Sequence, residues 1–213
     1  MKRIKVCGLR DGENIYNIEQ LDVDFIGLIF YRRSPRCIYE TPDYLPRDTG
    51  RVGVFVNESL MNMKIISNQF LLDHVQLHGD ESPDVCLAMR ISGQGVIKSF
   101  PVATEKDLEK TKEYEGSCDY FLFDTKCETY GGSGKPFDWN ILQSYNGKTP
   151  FFLGGGIGPD SVEALKLFDH PQLFGYDLNS RFEIRPGLKD VKKIARFIKQ
   201  IRAHEQNKST TEQ

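Results

Sequence analysis

Ile4-Lys5-Val6-Cys7-Gly8 is a short β-branched run that breaks at a glycine, and Leu9-Arg10-Asp11-Gly12 follows it. An open doubly wound sheet marks the end of its first strand with GxGxxG, whose glycines let the backbone approach a pyrophosphate. Cys7-Gly8-Leu9-Arg10-Asp11-Gly12 fails that spacing. Outward from this point, further β-branched or aromatic runs recur at 25–30, 51–56, 74–79, 95–100, 120–125, 151–156 and 173–179. Helical patterns lie between them at 13–21, 59–70, 83–91, 104–114, 138–144, 160–168 and 188–203. Only 31–48, rich in Pro and Arg, offers no more than one helical turn. Strands alternating with helices make βαβ units and a parallel sheet. Eight of them favour closure into a (β/α)8 TIM barrel, at the small end of that fold's size range. The chain thus reads as an α/β protein with one compact barrel domain, 1–203, and few insertions. Residues 204–213 are polar and unpatterned, which predicts a disordered C-terminal tail.

Charge and composition exclude several classes. Twenty-eight basic residues against 30 acidic ones leave a net charge of −2, without the basic excess of a general nucleic-acid binder. A local cationic site for a small anion remains compatible with that balance. Fourteen Phe and 9 Tyr can build a core, so disorder is excluded for most of the chain. The cysteines, Cys7, Cys37, Cys86, Cys118 and Cys127, are odd in number and contain no CxxC pair, which argues against a disulfide scaffold and a structural zinc site. No apolar run behind Met1 suits a signal peptide, and none approaches the roughly 18 residues of a membrane span. The cytoplasm is the expected compartment, and no membrane partner is expected.

A barrel puts its active site at the C-terminal ends of its strands. Side chains alternate along a strand, and the outward face packs on helices, so polar Lys5, Cys7 and Asp124 are assigned inward. A buried Lys needs a partner, and barrel closure brings strand 8 beside strand 1, making Asp177 the predicted counter-ion. A lone cysteine is most often a small buried hydrophobe; the place of Cys7 at the end of strand 1 weakens that reading. Gly154-Gly155-Gly156, followed by Gly158-Pro159-Asp160-Ser161 opening a helix, fits a phosphate site or a tight turn with a helix cap. Asn179-Ser180-Arg181 would supply donors from the other side. Gly131-Gly132-Ser133-Gly134-Lys135 fails the P-loop spacing and reads as a mobile loop over the site. Of Arg32, Arg33 and Arg36, one is expected to clamp a carboxylate and two to be solvated. Gln76 and His78 share a face and could hydrogen-bond a ligand; His74 and His78 lack the helical spacing of a zinc pair.

Taken in order, these segments resemble the phosphoribosylanthranilate isomerases of tryptophan biosynthesis over roughly 3–202. The resemblance rests on Lys5-Val6-Cys7-Gly8-Leu9, Gly27-Leu28-Ile29-Phe30 with Ser34-Pro35-Arg36, and Val52-Gly53-Val54-Phe55-Val56-Asn57. It continues with Val75-Gln76-Leu77-His78-Gly79-Asp80-Glu81, Phe123-Asp124, Gly131-Gly132-Ser133-Gly134-Lys135, Phe137-Asp138-Trp139, and Glu183 with Pro186-Gly187-Leu188-Lys189-Asp190. It implies an Amadori rearrangement of N-(5-phosphoribosyl)anthranilate to 1-(o-carboxyphenylamino)-1-deoxyribulose 5-phosphate. It implies Asp124 as general acid, Cys7 as general base and Arg36 on the anthranilate carboxylate. Gln76, His78, Gly155, Gly156, Asp177, Asn179 and Ser180 complete the expected substrate contacts. No metal, organic cofactor or obligate protein partner is expected, only a phosphorylated small-molecule substrate.

Two segments depart from the family's usual pattern. Asp177-Leu178-Asn179-Ser180-Arg181-Phe182-Glu183 replaces small residues and a Gly, and Gly154-Gly155-Gly156-Ile157 replaces a commoner Ala-Gly-Gly-Leu. The competing readings are indole-glycerol-phosphate synthase, a histidine-pathway sugar isomerase, and a phosphosugar-binding module without activity. An inward thiol together with an inward carboxyl argues against each.

Overall fold

The computed structural model describes residues 1–125 and 138–211, the side chains of 208–211 excepted. The loop expected at Gly131-Gly132-Ser133-Gly134-Lys135 lies outside the described residues. Eight parallel strands close into a barrel in sequence order: β1 (Arg3–Cys7), β2 (Phe25–Ile29), β3 (Gly50–Phe55), β4 (His74–Leu77), β5 (Gly95–Val102), β6 (Tyr120–Thr125), β7 (Phe151–Leu153) and β8 (Leu173–Leu178). Closure is made by β8 on β1, with Lys5 opposite Asp177.

Alternation along the strands sorts the core into two parts. Outward Ile4, Val6, Phe121 and Phe123 are fully buried against the surrounding helices in the larger cluster. Inward Val52, Ile97, Leu122 and Phe152 fill the barrel with Phe25, Tyr120 and Phe174. Phe25 and Phe174 each meet the Phe152 ring edge-on, at 5.6 and 5.2 Å between centroids. Edge-to-face packing of this kind fills space without a face-to-face clash. The barrel is therefore a packed plug beneath its C-terminal mouth. Strict alternation would send Phe174 and Asp177 to opposite faces. Instead the β7–β8 register steps from Leu173 directly to Gly175, a bulge at Phe174 that turns both side chains inward.

The helices follow local chemistry. α1 (Gly12–Glu19) begins where the Asp11 side chain accepts from Asn14 N at 2.8 Å, and α2 (Leu60–Phe70) and α3 (Pro83–Ile91) start at Ser59 and Ser82 in the same way. The helices expected at 104–114 and 138–144 are 3-10 helices, Glu105–Tyr114 and Trp139–Ser144. In the first, the buried residues are Leu108, Thr111 and Tyr114. A spacing of three stacks them on one face of a three-residue turn, which explains the tighter winding. β7 stops at Leu153, short of the expected run to 156, because Gly155 and Gly156 take φ of +71° and +79°. α4 (Val162–Leu167) follows after a single 3-10 turn.

The C-terminal part differs most from expectation. Leu188 and Lys189 form β10, which pairs with β9 (Glu183–Arg185) across a turn at Pro186-Gly187, with Gly187 at φ +84°. α5 (Val191–Thr211) then runs on past Ala203, through most of the segment expected as a disordered tail. No Gly or Pro follows Gly187, so the sequence carries no stop signal. Glu205 in this extension accepts from Lys2 N at 2.7 Å and from Arg202 at 3.2 Å, pinning the helix under the start of β1. Deleting 204–213 is expected to cost about 2 kcal/mol, the worth of hydrogen bonds to a charged group. Thermal unfolding would show the loss, and kcat should stay at the wild-type value.

Candidate active site

The mouth holds a cavity of about 740 Å3, counting its part open to solvent, lined by Cys7, Arg36, Gln76, His78, Asp124, Gly155, Gly156, Asp177, Asn179 and Ser180, all expected from the sequence, but not by Arg181. Its walls are partly apolar: Ile29, Tyr31, Val54, Val56 and Ile157 also face it. The sequence assigns none of these a ligand contact, because an apolar residue near a strand end looks the same whether it faces a ligand or a helix.

The floor is an ion pair. Lys5 Nζ donates to Asp177 Oδ1 at 2.7 Å, with the lysine side chain 1% exposed. Burial opposes the charge on Lys5, but Asp177 and the neighbouring Cys7 hold its ammonium above the ordinary lysine value. Cys7, two residues on along the same face, is 2% exposed. Burial pushes its thiol up, and Lys5 and Lys189 only partly offset that.

Asp124, at the end of β6, keeps 20% of its side-chain surface open while sitting deep among protein atoms. Burial raises its carboxyl against the pull of Thr125 N, which donates to Oδ1 at 2.7 Å, of Lys5, and of Gly155 N–H. A raised carboxyl is one that can hold a proton to give away. His78 Nε2 lies 3.7 Å from Asp124 Oδ2, and Gln76 Nε2 lies 3.0 Å from His78 Nδ1. Burial, with help from Lys98 and Lys5, lowers the imidazole to about 4, so it is neutral in the working range. With Nδ1 accepting from Gln76, the ring proton sits on Nε2 and faces Asp124. Gln76 Oε1 is buried and bonded to no group among the described residues.

On the opposite rim, Arg32 and Arg33 are exposed while Arg36 turns in, at 12% side-chain exposure. Arg36 is held by Glu183, Nε donating to Oε1 at 2.9 Å and Nη2 to Oε2 at 2.7 Å. Lys189, buried beneath them, donates to Glu183 Oε1 at 2.8 Å and to Asn179 Oδ1 at 2.7 Å. Asn14 of α1 fixes Lys189 through both backbone groups, accepting from its N at 2.7 Å and donating to its O at 2.9 Å. Glu183 and Lys189 were visible only as parts of a motif. A lysine reads as solvated until the fold shows an asparagine 175 positions away bracketing it.

The glycine corner differs from the helix-start site expected there. Gly158 N is taken by Ser161 Oγ and Ser161 N by Gly158 O, while Pro159 has no N–H. Gly155 N–H goes to Asp124. Gly156, Ile157 and Ser180, in the left-handed turn and at the start of the β8 loop, present amides with no acceptor among the described residues. Of the two side chains expected as donors at this corner, Arg181 is occupied elsewhere, while Asn179 uses only its oxygen and keeps its side-chain NH2 to donate. The Asn179 oxygen is on Lys189, and Arg181 straps the two loops by donating to Gly156 O at 3.2 Å and Asp160 Oδ2 at 2.8 Å. Among the described residues no group of His, Cys, Asp or Glu is arranged to hold a metal ion.

A parallel barrel whose mouth gathers a protonatable carboxyl, a thiol over a buried ammonium, a guanidinium and free amides defines an enzyme of acid–base chemistry on a small anionic molecule. The sequence profile of N-(5'phosphoribosyl)anthranilate (PRA) isomerase matches residues 4–200, and the chain belongs to that family of isomerases. It is 51% identical over 204 residues to the N-(5'-phosphoribosyl)anthranilate isomerase of Parabacteroides distasonis, covering 93% of this chain and 92% of that relative. To the Phocaeicola vulgatus enzyme of the same name it is 52% identical over 199 residues, 93% and 97% of the two chains. Among solved structures, phosphoribosyl anthranilate isomerase from Thermotoga maritima superposes with a TM-score of 0.81 at 33% identity, covering 95% of this chain and all of that one. A PRA isomerase in complex with reduced 1-(o-carboxyphenylamino)-1-deoxyribulose 5-phosphate matches at TM-score 0.81 and 30% identity, with the same coverage.

Proposed function

We propose that this chain isomerises N-(5-phosphoribosyl)anthranilate in tryptophan biosynthesis, with Asp124 as general acid and Cys7 as general base. The observation that carries the proposal is the meeting, in one mouth, of a carboxyl raised by burial and a thiol beside the buried Lys5 ammonium. Asp124 gives its proton to the ring oxygen as the C1–O bond breaks, and the anthranilate nitrogen takes up the cationic charge. Cys7 thiolate then removes the C2 proton, and its electron pair neutralises the iminium to leave an enolamine. A proton gained at C1 and one lost from the C2 hydroxyl give the ketone. Nothing enters or leaves overall, so the chain's own acid and base suffice.

The binding groups divide by charge. Gly156, Ile157 and Ser180 amides, in a turn shaped by Gly155, take the phosphate. Arg36 takes the aromatic carboxylate, with the Asn179 amide beside it. Gln76, His78 and the second Asp177 oxygen are assigned to sugar hydroxyls; the unbonded Gln76 Oε1 is an acceptor awaiting such a group. The whole assembly lies in the barrel, 1–203, and no nucleic acid, membrane or obligate protein partner enters the reaction. Among the described residues no helix is long and apolar enough to cross a membrane. Free thiols at Cys7, Cys37, Cys86 and Cys118 suit a reducing compartment such as the cytoplasm.

The decisive test follows loss of substrate fluorescence when the purified protein meets phosphoribosylanthranilate formed in situ. Turnover is expected. A protein that binds the reduced product analogue yet never turns over would be a phosphosugar-binding module instead. Arg36→Met should raise KM by about 10–100-fold, the loss of a charge-assisted bidentate contact, with a much smaller change in kcat.

A further inference from the structure

We infer that Glu183 is a positioning residue that aims Arg36 at the substrate's aromatic carboxylate, with Lys189 as the buried charge that keeps this pairing from cancelling Arg36. The inference rests on the reading of Arg36 given above and adds the groups that make that residue a specificity device.

A guanidinium is a planar fork of five N–H donors, so fixing one edge fixes the direction of the others. Glu183 occupies the Nε–Nη2 edge of Arg36 with two bonds of 2.9 and 2.7 Å. Both Nη1 protons and the second Nη2 proton remain, on a residue that lines the mouth. A free arginine on the loop after β2 would sample many rotamers, and ordering it would oppose each binding event. Here that order is already present before substrate arrives.

Glu183 is itself over-determined. Its Oε1 accepts from Arg36 Nε, Lys189 Nζ at 2.8 Å and Gly187 N at 3.1 Å. Burial opposes its ionisation, yet the donors from Arg36, Lys189 and Gly187 hold the carboxyl below its ordinary value. An isolated Arg–Glu pair would be neutral to an incoming anion. Lys189 restores one net positive charge to the trio while being fully buried itself, so that charge is expressed at Arg36. The hairpin of β9 and β10 serves this purpose: its turn at Gly187 brings both Glu183 and Lys189 under the same guanidinium.

The test measures inhibition constants of two fragments, anthranilate and ribose 5-phosphate, on the full chain and on Glu183→Gln and Arg36→Met. Glu183→Gln should weaken anthranilate inhibition and raise KM by about tenfold, one charge-assisted bond's worth. Ribose 5-phosphate inhibition and kcat should stay within about twofold of wild type. Glu183→Asp, which keeps the charge on a shorter arm, should fall between the two, and it replaces the glutamine variant if that one does not fold. A role in fold alone would weaken both fragments together, and that result overturns the inference. So does an unchanged anthranilate constant in Glu183→Gln while Arg36→Met loses it. If Arg36→Met also leaves anthranilate inhibition intact, the reading of Arg36 itself fails, and the inference with it.

Discussion

Asp124→Asn is expected to lower kcat by about 10²–10⁴-fold, the range of a lost general acid, while the barrel folds as before. The amide is isosteric, and its oxygen can still accept from Thr125 N. The pH profile makes the assignment specific. Burial raises both the Asp124 carboxyl and the Cys7 thiol. The working state, carboxyl protonated and thiol ionised, is one of the two singly protonated forms. Its population is proportional to all singly protonated enzyme and peaks between the two apparent ionisations. Wild-type kcat/KM should thus fall on the acid side as the pair becomes doubly protonated. On the alkaline side it should fall as both are lost. Asp124→Asn removes the carboxyl from this balance, and its residual activity should climb steadily with pH as Cys7 ionises. A residual profile that keeps the wild-type acid limb would show that Asp124 is not the acid. Cys7→Ala should lose about 10²-fold or more in kcat.

Which parts of this site the sequence revealed follows from the range over which each signal acts. Strand parity is local, so Lys5, Cys7 and Asp124 could be assigned inward from their own runs, and barrel closure alone made Asp177 the partner of Lys5. The structure joins that pair at 2.7 Å. Parity within β8 would have failed for Phe174, because a bulge is a property of two strands and the register shows it only when β7 is beside β8. The glycine corner was legible as a turn and not as a set of donors. Which amides remain free depends on Ser161 capping Gly158 and on Gly155 serving Asp124. Arg36 stood out from Arg32 and Arg33 only by resemblance. The physical reason it turns inward is Glu183, 147 positions on, and no local pattern announces a contact of that separation. The sequence pattern ends the final helix at Ala203 because polar residues look unpatterned once the apolar stripe ends. Its continuation is held by Glu205 and Arg202 reaching back to the Lys2 backbone.

Lys98 gives the largest expected effect on stability. It lies on β5 with its side chain 2% exposed, pointing away from the barrel axis into the layer beside Phe100 and Tyr114. Nζ donates to Leu77 O at 3.1 Å, Gly79 O at 2.6 Å, Ser99 O at 3.2 Å and Glu81 Oε2 at 3.2 Å. Glu81 in turn accepts from Asn57 N at 2.7 Å and Gly79 N at 2.9 Å, so the two charges knot the loop after β4 to β3 and β5. That loop carries His78. Lys98→Met keeps the length and apolar stem but leaves a buried carboxylate without its cation and carbonyls without a donor. Removing one partner of a buried pair costs about 3–5 kcal/mol, which for a chain of this size lowers Tm by roughly 6–20 °C. Adding Glu81→Gln to Lys98→Met should recover part of the loss, because the stranded charge goes with it. The control is Lys112→Met, whose ion pair with Glu109 is exposed at 61% and 67% and should be worth less than about 1 kcal/mol. Equal shifts from the two lysines would mean that the knot beneath His78 contributes no more than a surface pair, and the loop would then owe its position to the β4 and β5 backbones alone.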